Sequence, residues 1–189
     1  MTDICQGQEE VACLVRATQA GDKVAFDRLV QLHQDQAMRV AFGILGNVHD
    51  AAEVVQEAFI KGYTQIGRLT VAESFRFWLL RIVANEAVSR HRSLRRRVAM
   101  RKLFASARVR RRPNEPDERE DARDLQAAVE RAILHLTGNE AKAITLFGIE
   151  DLPHNEVARI MGCSAGAARW HVHRARQKLR VFLREYIDE

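Results

Sequence analysis

This 189-residue chain predicts an all-α fold: two small helical domains joined by a charged flexible linker, the second ending in a helix-turn-helix. Three observations carry that expectation. Apolar residues recur at spacings of three and four, with no convincing period-two run that would make a strand. Near the middle, a block of arginines gives way abruptly to a block of acids. Finally, residues 152–183 read LPHNEVARIMGCSAGAARWHVHRARQKLRVFL, two helical patterns hinged at Gly162-Cys163-Ser164.

The first domain is expected over 9–94. Val11, Leu14 and Val15 make one stripe. Asp22 caps a helix whose buried face is Phe26, Leu29, Val30, Ala37, Val40, Ala41 and Ile44. Gly46 and Asn47 interrupt it. Asp50-Ala51-Ala52-Glu53 then reads as a cap with an acidic first turn, which suits the positive end of the helix dipole. The stripe that follows is Val54, Val55, Ala58, Phe59, Tyr63 and Ile66. A loop is predicted over 67–72, and then a helix with Phe75, Trp78, Leu79, Ile82 and Val83 on one face. Trp78 lies on that stripe, so it reads as core and not as a stacking platform.

The linker is expected over 95–121. Its basic part carries Arg95, Arg96, Arg97, Arg101, Lys102, Arg108, Arg110, Arg111 and Arg112, and its start extends the preceding helix. Its acidic part follows Pro113 and includes Glu115, Asp117, Glu118, Glu120 and Asp121. Blocks of like charge with prolines resist burial, so the two domains are expected to move independently. The second domain is expected over 122–189. Leu125, Val129, Ala132, Ile133 and Leu136 form its first stripe. Thr137 and Glu140 have the spacing of a capping box, and Ala143, Ile144 and Phe147 continue into a further helix. In the helix-turn-helix, Gly162 permits the tight turn and Ser164 caps the second helix. Ala158 is small enough for two helices to cross closely. Arg169, Trp170, His173 and Arg174 then face a DNA major groove. A solvated basic hairpin would share the charge but not the turn chemistry.

Composition excludes several classes. The formal charge of +5 and pI near 9.5 suit a polyanionic partner. Cys5, Cys13 and Cys163 form neither a disulfide framework nor a zinc set, and a reducing cytoplasm is the expected setting. His171 and His173 point apart on a helix, so no metal and no cofactor is expected. The opening MTDICQGQEEV has no basic flank or apolar run, so no signal peptide is expected. Nor does any window approach the roughly eighteen apolar residues of a membrane helix. An enzyme is not expected: the chain carries no phosphate loop and no nucleophile–base set.

Four segments in fixed order then resemble the extracytoplasmic-function group of bacterial RNA polymerase sigma factors, in the sigma-70 superfamily. AGDKVAFDRLV resembles the group's opening helix, and DAAEVVQEAFIKGY its acidic signature helix. FRFWLLRIVANEAVSRHR resembles its F-x-x-WL-x-RI-x-x-N helix, and NEVARIMGCSAGAARWHVHRARQKL its terminal helix-turn-helix. The match spans 11–183 apart from the linker. The chain departs from the pattern at Ala52, Ser89, Ala167, Ala168, Trp170 and His171. The last of these departures bear on which promoter is read.

The resemblance implies a factor that directs core RNA polymerase to promoters and aids their opening. Asp50, Glu53, Gln56 and Glu57 would dock the basic coiled coil of the polymerase β′ subunit, and the β flap would be a further contact of the core enzyme. The loop over 67–74 would capture a flipped base of the −10 element, with Asn85 as a polar reader. Arg81, Arg90, His91 and Arg92 would hold phosphates. Arg169, Trp170, His173 and Arg174 would read the −35 element, with Arg176, Lys178 and Arg180 as phosphate clamps. The basic block would lie along template DNA or the RNA exit path. An anti-sigma factor or another regulator would control the protein, without membrane insertion. Two rivals compete. A conventional DNA-binding regulator would need a sensory or dimer element, and none is visible. An RNA-binding protein would need aromatic platforms near the arginines, and these are missing.

Overall fold

A computed structural model describes residues 2–104 and 118–184, with side chains described over 9–72, 74–101 and 127–184. Eight α-helices and two short 3-10 turns make up these residues, and no strand is found among them. The N-terminal domain holds α1 (Thr2–Gln19), α2 (Lys23–Leu45), α3 (Val48–Gln65) and α4 (Phe75–Phe104). The C-terminal domain holds α5 (Glu118–His135), α6 (Gly138–Gly148), α7 (His154–Met161) and α8 (Ala165–Phe182).

Local chemistry explains the helix ends. Asp22 accepts from the amides of Val24 and Ala25 and starts α2, which stops at Gly46 in the left-handed conformation (φ 73°). The cap of α3 is Asn47, not Asp50: its side chain accepts from the amides of His49 and Asp50, leaving Asp50 within the first turn. The Thr137–Glu140 capping box forms at the start of α6. The expected loop before α4 is tightened into 3-10 turns at Ile66–Arg68 and Ala72–Ser74. α4 runs through Arg95, Arg96, Arg97 and Arg101 to Phe104, well into the stretch expected to be linker. The remainder of the basic block, with Pro113 and Pro116, lies outside the described residues.

The two domains are docked, contrary to the expected independence. One hydrophobic core runs through both, from Leu29, Ile44, Val54 and Leu79 to Leu136, Leu146, Ile160 and Val172. At the seam glycines replace side chains. A Cβ at Gly43 would stand 2.6 Å from Thr145 Cγ2 and Ile149 Cδ1, and one at Gly138 would stand 2.5 Å from Val88 Cγ1. Polar bonds complete it. Gln36 Nε2 donates to Glu150 at 2.6 Å and Arg39 Nε donates to the same carboxylate at 2.8 Å. Arg76 Nε in turn donates to Gln36 Oε1 at 3.1 Å. Such a seam has no helical periodicity of its own, which is why the charge pattern alone suggested free domains.

Candidate nucleic-acid interface

The C-terminal face is built by a helix-turn-helix. Gly162 takes φ 69° and its amide bonds the Ala158 carbonyl, closing α7 in one residue. Ser164 Oγ then accepts from the Ala167 amide and opens α8. Ala168, Val172 and Ala175 are buried against the domain, so the opposite face is presented outward. Arg169, Trp170, His173 and Arg174 are all exposed there, Trp170 at 55%. The Arg174 guanidinium stands 5.7 Å from the Trp170 ring centre, and α8 contains no acidic residue. This face has the reach and charge for a major groove.

Two of the expected clamps are held within the domain. The Arg176 guanidinium lies 4.9 Å over the Phe147 ring. Lys178 Nζ lies 2.6 Å from the buried Glu140 carboxylate. Burial acts to raise the Glu140 pKa, but the hydrogen bonds from Lys178 and Thr137 outweigh it and keep the carboxyl below its ordinary value.

In the N-terminal domain the loop before α4 is anchored from α1. Gln19 Nε2 donates to the Ile66 and Leu69 carbonyls, both at 2.9 Å. Beside the loop opens a cavity of about 220 Å³ between Leu69, Thr70, Ser74, Phe77, Trp78 and Arg81. Phe77 was not singled out by sequence. Trp78 does pack on the core, as its stripe required, but it also lines this cavity.

The other expected −10 residues are scattered. Arg81 Nε donates to the Ile160 carbonyl at 3.1 Å, and its terminal nitrogen bonds the Arg159 carbonyl, so it caps the end of α7. Asn85 is exposed, yet its Oδ1 accepts from Lys142 Nζ at 2.5 Å. Burial, then the charges of Arg81 and Arg92, lower the Lys142 pKa to about 8. Arg92 is exposed. His91 is fully buried and its Nε2 donates to the Ile133 carbonyl at 3.0 Å, so it meets no phosphate in this conformation. Burial lowers its pKa as well.

Arg90 faces α3 instead of solvent. Its guanidinium lies 3.0 Å from Asp50, 2.8 Å from Glu53 and 3.7 Å from Glu57. The hydrogen bond to Glu53 raises its already high pKa. Glu53, Gln56 and Glu57 remain exposed and Asp50 half-buried. Next to this acidic edge, α2 and α3 enclose an apolar groove of about 870 Å³ walled by Phe26, Val30, Met38, Val55, Phe59 and Tyr63. Ile60 on its lip is 63% exposed.

Among the described residues no His, Cys, Asp and Glu group could hold a metal. Among the same residues no helix is long and apolar enough to cross a membrane.

Known proteins resemble the chain along its length. The Sigma-70 region 2 family model matches residues 29–97, and the Sigma-70 region 4 model matches 126–179. The RNA polymerase sigma-H factor of Pseudomonas aeruginosa is 31% identical over 96% of this chain and 98% of its own length. The ECF RNA polymerase sigma-E factor of Haemophilus influenzae is also 31% identical, over 88% of this chain and 91% of its own. ECF RNA polymerase sigma factor SigW of Bacillus subtilis is 26% identical over 90% and 95%. In fold, the chain resembles CnrH solved with the cytosolic domain of CnrY (TM-score 0.66, 24% identity, 93% of this chain and 98% of that one). It also resembles the sigma factor RpoE solved with the anti-sigma factor NepR from Bartonella quintana (TM-score 0.59, 22% identity, 87% and 98%).

Proposed function

The chain belongs to the extracytoplasmic-function group of the sigma-70 family and directs RNA polymerase to promoters, and from that premise we propose which of its surfaces perform each task. The outer face of α8 reads the −35 element through Arg169, Trp170, His173 and Arg174. Arg176 moves from Phe147 to a phosphate when DNA arrives. The loop before α4 and its cavity take the displaced strand of the −10 element. Arg81, Asn85 and Arg92 flank that strand once the C-terminal domain has moved away, and Arg90 joins them when it leaves its ion pairs with α3. The acidic edge of Asp50, Glu53, Gln56 and Glu57, with the apolar groove beside it, receives the β′ coiled coil. The C-terminal domain meets the β flap. The boundaries expected at 9–94 and 122–189, with a linker over 95–121, shift with the helices: α4 carries the first domain to Phe104 and α5 opens the second at Glu118.

The observation that carries this assignment is the exposed, acid-free face of α8 behind a left-handed turn. Its charge suits the phosphate backbone and its arginines suit base edges. The protein acts as an initiation factor and not as an enzyme, and it works in the cytoplasm beside polymerase. An anti-sigma protein or another regulator controls it, a reading supported by the likeness to a sigma factor solved with the anti-sigma factor NepR. The test is co-purification with core polymerase followed by transcript mapping on a genomic fragment library. Start sites sharing two spaced elements are expected. No association at micromolar concentration would overturn the assignment.

A further inference from the structure

The cavity beside the loop is shared with the other domain, one of whose side chains forms part of its wall. Arg159, on α7, lines the same space as Phe77 and Ser74. Its guanidinium carbon lies 4.7 Å from the centre of the Phe77 ring, and its terminal nitrogen donates to Ser74 Oγ at 2.8 Å. A guanidinium is flat, delocalised and rich in hydrogen-bond donors. A nucleobase shares the flatness and the polar edge, and it too stacks on aromatic rings. The Arg159 main chain is fixed in place, since its carbonyl and that of Ile160 are bonded by Arg81.

We propose that Arg159 occupies the place of an unpaired base on Phe77, so that the helix-turn-helix domain and the displaced promoter strand compete for one pocket. This rests on the reading above that the pocket serves the displaced strand. Phe77 is then the stacking platform, and Ser74 supplies a polar contact that Arg159 borrows in the free protein. Strand capture and domain release become a single exchange: the Phe77 ring is covered by Arg159 when the domains are docked and by a base when they part.

The experiment uses the full chain and fluorescein-labelled short single-stranded oligonucleotides of random sequence, with duplexes of the same sequences as a control. Arg159→Lys keeps the charge and loses the flat stack. It should tighten single-strand binding roughly two- to fivefold, the scale of a partly exposed cation–π contact. Duplex affinity should stay unchanged. Adding Phe77→Leu, which keeps apolar volume but removes the ring, should abolish the gain. Unchanged or weaker single-strand binding by Arg159→Lys would overturn the proposal. So would an equal gain on duplex, or a gain that survives Phe77→Leu. Run-off transcription with core polymerase is scored separately. Its failure in the wild type would sink the promoter reading, whereas the oligonucleotide comparison judges the exchange itself.

Discussion

Lys142 Nζ lies 2.5 Å from Asn85 Oδ1, a bond that joins the C-terminal domain to the middle of α4. It places a buried ammonium beside a residue expected to read DNA, with Arg81 and Arg92 close enough to repel it. The docked state therefore carries an electrostatic cost that it sheds when Lys142 loses its proton.

Domain docking should accordingly tighten with rising pH. In the docked protein burial, then the charges of Arg81 and Arg92 on α4, take the Lys142 pKa from its ordinary 10.5 to about 8, so this state binds fewer protons inside that window than one with an exposed lysine. The stabilisation is complete above 10.5 and is lost as pH falls through about 8, at most about 3 kcal/mol if all of the burial comes from the other domain. Small-angle scattering on either side of pH 8 should show a larger radius at the lower pH. Lys142→Met should remove the dependence.

Gly138→Ala should separate the domains without unfolding either. A Cβ there meets the stiff side chain of Val88 at 2.5 Å, an overpacking that costs about 1–3 kcal/mol. The same substitution favours α6 by up to about 1 kcal/mol through helix propensity. The expected outcome is an expanded molecule of unchanged helical content, read by scattering and circular dichroism together.

Reversing charge on the acidic edge should strike polymerase binding alone. Glu53→Lys and Glu57→Lys are expected to weaken association with core enzyme by about tenfold or more, because like charges would then face the basic coiled coil. Affinity of the holoenzyme-free protein for duplex DNA should not fall. Arg90→Ala should have the opposite sign on polymerase binding, since it frees Asp50, Glu53 and Glu57 from an internal partner.

Arg169→Ala and Arg174→Ala should reduce discrimination at the −35 element by about 1–3 kcal/mol each while leaving polymerase association intact. Transcription from matched and scrambled −35 sequences decides it. Equal losses on both templates would mean phosphate contacts in place of base readout.

What the sequence made legible was local. The stripes through Leu29 and Ile44, the caps at Asp22 and Ser164, and the box of Thr137 and Glu140 each depend on residues within one or two turns, and each is present. The cap of α3 was misplaced by one turn because Asn47 and Asp50 both suit the role. The seam was not legible, because it consists of glycines and of polar pairs more than a hundred positions apart, such as Gln36 with Glu150. Phe77 escaped notice for a related reason. It sits about a hundred degrees around the helix from Trp78, off the apolar stripe, and its partner Arg159 belongs to another domain. His91 looked like one more cation in a basic run, and only the packing of α5 against it shows that it is interior.

The chain holds two tryptophans, one on each surface proposed to meet DNA: Trp78 lines the loop cavity and Trp170 stands on α8. The protein thus carries its own pair of optical reporters. With Trp170→Phe, emission comes from Trp78 alone, and its quenching follows entry of a base beside Phe77 without any dye. Loss of emission from Trp170 in a Trp78→Phe chain times the arrival of duplex at the other end, so the order of the two encounters becomes a stopped-flow measurement.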